Sequence, residues 1–253
     1  MLSSWWVIFW TKGSVIELLD DYTTATLESR KKAMSLQPEQ EVDVGNIFFK
    51  EITSRLFNDS RVLDIGTGNG YVLAEIKRAT PELKLKLFGI DYSVRMVEIA
   101  SEQLGDSAEI KQADCAAIPY ENSSFDVVCA KNVTRINARE IARVLKPGGY
   151  FVFREYGPGK GLCEIAEMFR GRIIRQRTIS FYKDALTEAG LSIVSAKEYT
   201  IQRRYACAEE LATIAKSFPF VSDFSEADEK AILEKFHNNA TVTSDPFILV
   251  AQA

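Results

Sequence analysis

The stretch that decides the fold is Val62-Leu63-Asp64-Ile65-Gly66-Thr67-Gly68-Asn69-Gly70-Tyr71-Val72-Leu73. Its apolar first residues predict a buried strand, and the glycines at 66, 68 and 70 predict a tight turn into a helix. Because glycine lacks a Cβ and accepts positive φ, the main chain of such a turn can lie close to a ligand. The helix that follows adds unpaired N–H groups, which suit a carboxylate or a phosphate. These residues are compatible with a ligand site and also with a purely structural turn.

The spacing of the glycines and the acid before them narrows the choice of ligand. Asp64 lies at the carboxyl end of the strand, where open α/β sheets bind ligands. The run reads Asp-x-Gly-x-Gly-x-Gly, which is one residue tighter than the dinucleotide pattern Gly-x-Gly-x-x-Gly. It resembles motif I of the class I S-adenosylmethionine-dependent methyltransferases. Two later segments extend the resemblance in chain order, namely Ile118-Pro119-Tyr120 and Arg143-Val144-Leu145-Lys146-Pro147-Gly148-Gly149.

This resemblance implies the fold and the division of the chain. Strands alternate with helices between residues 61 and 153, which by itself predicts an α/β protein. The family adds a Rossmann-like sheet of seven strands, mostly parallel, with an antiparallel last strand. We expect a single domain, with lid helices in residues 1–57, a cofactor-binding core in 58–153, and a substrate-side half in 154–253. A helical insertion between strands six and seven, at about 206–240, would cap the substrate pocket.

The resemblance also implies S-adenosyl-L-methionine as the cofactor and assigns residues to it. The amino-acid end of the cofactor is assigned to Asp64, Gly66, Thr67, Gly68, Asn69 and Gly70. The ribose is assigned to Asp91 with Tyr92, and the adenine to Asp114 and Cys115. Lys131 and Asn132 would line the reaction chamber. Tyr22, in the lid, would face the bound ligand. No metal is expected.

Several of these residues have a plainer interpretation. Asp91 follows the glycine turn at about the distance at which an acid meets a ribose hydroxyl in doubly wound folds. It could instead cap the next helix, although Ser93 can take that position. Asp114 could be an acid in a surface turn, and Tyr22 could be an ordinary core aromatic.

The acceptor of the methyl group is less defined by the sequence. Base-modifying members of the family carry Asn/Asp-Pro-Pro-Tyr/Phe where this chain has Lys131-Asn132-Val133, and the net charge is −4, so a small molecule is favoured over nucleic acid. Arginines predict an anionic acceptor, with Arg175, Arg203 and Arg204 as candidate contacts and Arg170, Arg172 and Arg177 nearby. Solvated helix faces are the alternative. A methyltransferase acting on tRNA or protein, and a non-catalytic cofactor-binding protein, are rival functions.

His237 is the only histidine, so a histidine-based metal site is not expected. It is a weak candidate for a general base, because a surface or packing role is the commoner one for such a residue. The four cysteines show no close pairing and are interpreted as reduced thiols of a cytoplasmic protein.

The apolar run from Trp5 to Trp10 is too short to cross a bilayer. We expect it to pack on the domain or to form a homodimer contact. A wall of the substrate pocket or a contact with a membrane surface is the alternative.

Overall fold

The computed structural model describes residues 32–33, 35–133, 135–174, 177–218 and 220–253. The predictions for Trp5 to Trp10, for Tyr22 and for Arg175 concern residues outside this set. The strands are β1 Arg61–Ile65, β2 Lys86–Asp91, β3 Ala108–Gln112, β4 Phe125–Lys131, β5 Leu145–Tyr156, β6 Ser192–Glu198, β7 Ile201–Arg204, β8 Thr241–Ser244 and β9 Pro246–Gln252. The helices are α1 Val44–Thr53, α2 Tyr71–Ala79, α3 Val94–Leu104, α4 Ala138–Val144, α5 Cys163–Met168, α6 Ile179–Glu188, α7 Ala208–Ser217 and α8 Glu226–Phe236.

One sheet of seven strands organises the molecule, in the order β3-β2-β1-β4-β5-β9-β6. Neighbours from β3 to β5 pair in parallel, and β9 lies antiparallel to both β5 and β6. This confirms the predicted Rossmann-like sheet with an antiparallel last strand. The chain order reverses between β1 and β4, so the carboxyl ends of these two strands border the crevice where such sheets bind ligands.

The sheet is covered on both faces, which is why most residues of its central strands are apolar. Alternate residues of β1 enter different clusters: Leu63 packs with Ile141 of α4 on one face, and Val62 packs with Phe48 of α1 and Leu73 of α2 on the other. All five side chains are fully buried. Burying a side chain of this size contributes about 1.5–3 kcal/mol, so the layers on either side fix the position of the β1 edge.

A smaller unit, the cap, is inserted between β6 and β9 and comprises residues 199–245. Helices α7 and α8 lie in this segment, as predicted, and share a third apolar cluster with α5. The sequence analysis missed the two-stranded ribbon of β7 and β8, which pair antiparallel outside the main sheet. Both strands have four residues and are rich in polar side chains, so neither carries a strong strand pattern.

Three predicted boundaries differ from the structure. The apolar spacing predicts a helix over residues 44–57 and a strand from Leu83, whereas α1 ends at Thr53 and β2 begins at Lys86. The Pro-Gly-Gly sequence predicts a turn at residues 146–149, whereas these residues are part of β5. Residues 148 and 149 are part of the strand because they form hydrogen bonds with the last residue of the described chain. Gly148 N donates to Ala253 O, and Ala253 N donates to Gly149 O.

Candidate functional site

A cleft of about 1320 Å³ opens at the carboxyl edge of the sheet. Its walls come from the glycine turn, from the ends of β2, β4 and β5, and from the cap. Examples from each part are Gly68, Asp91, Lys131, Tyr156 and Phe220. A single space therefore joins the predicted cofactor residues to the cap.

The glycine turn leaves open space beside Gly68, and its N–H groups donate mainly to the end of β2. Gly66 N and Thr67 N both donate to Ile90 O, at 2.8 and 2.9 Å, and Gly70 N donates to Thr67 O. All three glycines have positive φ, but only Gly68 faces open space, with no atom within 4 Å of an added Cβ. The N–H groups of Gly66, Thr67 and Gly70 therefore already have acceptors within the protein.

Asp64 is a buried carboxyl with one unused oxygen. The residue is 1% exposed, and its Oδ2 has no hydrogen-bond partner among the described residues. The other oxygen, Oδ1, accepts from Cys129 Sγ at 3.6 Å. Burial raises the pKa of Asp64 to about 7, because a charged carboxylate is poorly solvated there. The side chain is thus poised to gain stability from a cationic or hydrogen-donating neighbour.

Asp91, the last residue of β2, is hydrogen-bonded to the glycine turn. Its Oδ2 accepts from Gly68 N and its Oδ1 from Ser93 N, both at 2.9 Å. Ser93 caps α3 by accepting from Met96 N, so Asp91 is not the helix cap. Burial raises the pKa of Asp91, and each carboxylate oxygen still has a lone pair for another donor. Tyr92 follows Asp91 in the wall of the cleft.

The residues predicted for the adenine meet an arginine that the sequence analysis missed. Asp114 forms an ion pair with Arg135 and accepts from Ala116 N at 2.8 Å. Cys115 Sγ lies 3.7 Å from Arg135 O, and burial raises the pKa of the Cys115 thiol. Arg135, Asp114 and Cys115 all line the cleft. Arg135 follows β4 without a motif, so nothing in the sequence placed it against Asp114.

Lys131 is the last residue of β4, Asn132 follows it, and both line the cleft. Burial lowers the pKa of Lys131, whose Nζ lies 5.2 Å from the ring centre of Tyr71. Asn132 has a φ of 54°, a conformation that asparagine tolerates better than most residues. Its N donates to Arg154 O at 2.9 Å, and its side-chain oxygen accepts from Arg154 Nη1. The turn after β4 is therefore fixed to β5.

The carboxyl end of β5 carries a cluster of charged and phenolic groups. Tyr156 Oη accepts from Arg154 Nη2 at 3.0 Å and from Arg203 Nη1 at 3.1 Å, and Arg203 Nε donates to Gln40 Oε1. Burial alone would raise the pKa of the Tyr156 phenol, but the two guanidiniums outweigh it and lower that pKa to about 7. No sequence motif predicts a role for Tyr156 or Arg154. Their position just after the apolar run of β5, at the ligand-binding edge, was the available signal.

The predicted basic region is not continuous. Arg203 and Arg177 line the cleft, whereas Arg204, the next residue after Arg203, is exposed and does not. Arg204 makes main-chain hydrogen bonds with Glu39. Arg170 and Arg172 are paired with acids, Glu167 and Asp228 respectively.

His237 is exposed at the end of α8 and does not line the cleft. The structure therefore gives no support to His237 as a general base. Within the described ranges, no group of three or more His, Cys, Asp or Glu residues is arranged to hold a metal. No helix in the same ranges is both long and apolar enough to cross a membrane.

Comparisons with known proteins agree with this geometry. A family model described as methyltransferase domain matches residues 62–149. Phosphoethanolamine N-methyltransferase 1 of Arabidopsis thaliana is 31% identical over 183 residues, which are 66% of this chain and 36% of that protein. The ubiquinone/menaquinone biosynthesis C-methyltransferase UbiE of Geotalea daltonii is 34% identical over 109 residues, which are 39% of this chain and 46% of that protein.

A solved structure shares the fold. The YcgJ protein from Bacillus subtilis superposes with a TM-score of 0.62 at 17% identity, covering 82% of this chain and 98% of that one. The present chain spans little more than a third of the Arabidopsis relative's length. The part matched by the family model contains the glycine turn, Asp91, Asp114 and Lys131.

Proposed function

We propose that the chain is a class I S-adenosylmethionine-dependent methyltransferase that transfers a methyl group to a small-molecule acceptor. The match of residues 62–149 to a methyltransferase domain and the likeness to phosphoethanolamine N-methyltransferase 1 support this proposal. The observation that carries the proposal is the single cleft, which joins the glycine turn and Asp91 to a wall holding Lys131, Arg177 and Arg203. A cofactor at one end and an acceptor at the other would meet near the end of β4. The acceptor, on this proposal, bears an anionic group.

S-adenosyl-L-methionine supplies a methyl group on a positively charged sulfur, so the chain's own part is to bind, align and exclude water. Asp64 fits this role because its Oδ2 is buried without a partner among the described residues and suits an ammonium group. Gly68 fits because its Cα faces open space in the cleft. We assign the amino-acid end to Asp64 and the turn from Gly66 to Gly70, with Thr67 and Asn69 in its wall.

The adenosine end is assigned to the next two strand ends. Asp91, with Tyr92 beside it, retains lone pairs for ribose hydroxyls after accepting from Gly68 N and Ser93 N. Asp114 and Cys115 are assigned to the adenine, and Arg135 joins them because it holds the Asp114 carboxylate.

The acceptor end combines cations with an apolar surface. Arg203 and Arg177 provide guanidinium donors, which suit a carboxylate or phosphate. Ile214, Phe218 and Phe220 of the cap line the same cleft and can cover an apolar part of the acceptor. Lys131 and Asn132 stand between this surface and the glycine turn along the cleft wall.

Calorimetry tests the cofactor assignment without an acceptor. We expect S-adenosyl-L-homocysteine to bind the full chain, and Asp91→Asn to weaken binding about tenfold or more, since hydrogen bonds to charged groups contribute about 1.5–3 kcal/mol. Asp106→Asn removes an exposed carboxylate outside the cleft and serves as the matched control. No heat of binding to the unmodified chain would overturn the proposal.

Adjacent arginines provide the test of the acceptor end. A labelled-methyl assay with cell extract split into small and large molecules would first show where the label goes, and label confined to tRNA or protein would contradict a small acceptor. With the acceptor found, Arg203→Gln should raise its KM about tenfold or more. Arg204→Gln makes the same change on an exposed neighbour and should leave KM unchanged. Equal KM values for both variants would remove Arg203 from the acceptor site.

A further inference from the structure

The hydrogen bonds around Tyr156 leave its own proton without a protein acceptor among them. A phenol oxygen accepts through lone pairs and donates one proton, whereas a guanidinium can only donate. Tyr156 Oη receives N–H groups from both Arg154 and Arg203. Its proton therefore cannot go to either arginine. The oxygen is either a phenol whose proton points elsewhere or a phenolate that two cations stabilise.

Tyr156 is held rigidly at the wall of the cleft. Gly161, with a φ of 78°, packs so closely that an added Cβ would lie 2.6 Å from Tyr156 Cε1. The loop that carries Gly161 is fixed in turn by Asp245, which accepts from Gly159 N at 2.6 Å and from Gly161 N at 2.7 Å. The ring has little freedom to leave the two guanidiniums, and it borders the same space as Lys131.

The charges that face Tyr156 favour its ionised form. Arg154 on β5 and Arg203 on β7 donate to it directly, and Lys131 at the end of β4 is near enough to interact electrostatically. Tyr205, after β7, also interacts with Tyr156, and burial raises the pKa of Tyr205, so the neighbouring phenol stays neutral. The pKa of Tyr156 is lowered to about 7 in this setting.

We propose that Tyr156 is the catalytic base of the methyl transfer and that the acceptor reacts through a nitrogen or oxygen that carries a proton. This inference rests on the proposed function. The acceptor's heteroatom forms the new bond to the methyl carbon as the sulfur–carbon bond breaks and sulfur keeps the electron pair. The proton of that heteroatom passes to the Tyr156 phenolate, so charge and atoms balance. His237 is exposed outside the cleft and cannot take this part.

An ultraviolet titration of the free protein tests the ionisation of Tyr156 independently of turnover. We expect phenolate absorbance equivalent to one tyrosine to appear with a midpoint of about pH 7, and to be absent from Tyr156→Phe. Tyr150→Phe is the matched control, because Tyr150 lies on the same strand beside the guanidinium of Arg55 but outside the cleft. It should keep the signal near neutrality. No difference between the two variants would overturn the proposal.

A second variant keeps the test valid if Tyr156→Phe folds poorly. Arg203→Gln removes one of the two cations and should move the phenolate midpoint upward, whereas Arg204→Gln should not. Equal midpoints would contradict the assigned electrostatics.

The rate profile then tests catalysis. With the acceptor in hand, kcat should rise with pH and level off above about 7 in the unmodified chain, and fall about 10²–10⁴-fold in Tyr156→Phe with the affinity for S-adenosyl-L-homocysteine retained. Turnover that survives in Tyr156→Phe overturns the base assignment alone. No turnover by the unmodified chain, with the phenolate signal intact, overturns the methyltransferase proposal and with it the role of this base.

Discussion

Replacing Asp64 by Asn should change how the stability of the free protein depends on pH. Burial raises the pKa of Asp64 from 3.8 to about 7. Since one pKa unit corresponds to about 1.36 kcal/mol, ionising this carboxyl in the folded chain costs about 4 kcal/mol more than in the unfolded chain. Thr67, Cys129 and Lys131 lower the pKa of Asp64, but together they do not offset the effect of burial.

The direction in which the free energy of unfolding changes with pH follows from the number of protons bound in each state. Between pH 3.8 and about 7, the folded chain holds a proton that the unfolded chain has released. The free energy of unfolding therefore falls as pH rises through this range and levels off above the folded pKa. From about pH 6 to about pH 8, Asp64 alone should lower the free energy of unfolding by about 1 kcal/mol.

Urea unfolding followed by circular dichroism at several pH values measures this decline. Between about pH 6 and 8, we expect the decline in Asp64→Asn to be smaller than in the unmodified chain by about 1 kcal/mol, because the amide does not ionise. The amide also changes stability by a constant amount, which cancels when each variant is compared with itself at two pH values.

Asp106→Asn removes an exposed carboxylate and should decline in parallel with the unmodified chain. Asp91 and Glu155, whose pKa values burial also raises, are present in every variant and cancel in the comparison. Equal declines in Asp64→Asn and the unmodified chain would refute the reasoning.

Two further predictions concern the backbone. Gly70→Ala should lower the free energy of unfolding by about 1–3 kcal/mol more than Gly148→Ala. Both glycines have positive φ, but only at Gly70 would an added Cβ lie 2.7 Å from Leu104 Cδ1. Equal losses in urea unfolding would contradict the steric argument. Asp245→Ala should lower the same quantity by about 1–3 kcal/mol and speed tryptic cleavage after Lys160, because two main-chain N–H groups lose their acceptor. Unchanged cleavage would mean that other contacts hold this loop.

The sheet and half of the cleft could be predicted because they follow from local patterns. The strand–turn–helix at residues 62–73 and the Ser93 cap each lie within one short segment, where periodicity and capping chemistry decide the structure. The internal bonding of the glycine turn could not be predicted in the same way. It depends on the parallel register that puts Ile90 opposite Ile65, and so brings Ile90 O under the turn.

The acceptor side depends on contacts between distant segments. Tyr156 and Arg203 are 47 positions apart and meet because Arg203, on the β7–β8 ribbon, reaches the end of β5. Composition treated Arg203 and Arg204 as equivalent, whereas strand alternation gives them different surroundings: one lines the cleft and the other is exposed. His237 was a candidate general base because of its side-chain chemistry, but it is exposed at the end of α8 and does not line the cleft.

The way the cap joins the sheet has a consequence for how this protein can change over generations. The chain leaves β6 at Glu198 and returns to β9 at Pro246, and Tyr199 N donates to Pro246 O at 2.9 Å, so exit and entry lie side by side. Inserting, lengthening or exchanging the segment between them leaves the strand order untouched. On the proposed function, remodelling this one segment would change the acceptor end of the cleft and leave the glycine turn and Asp91 in place.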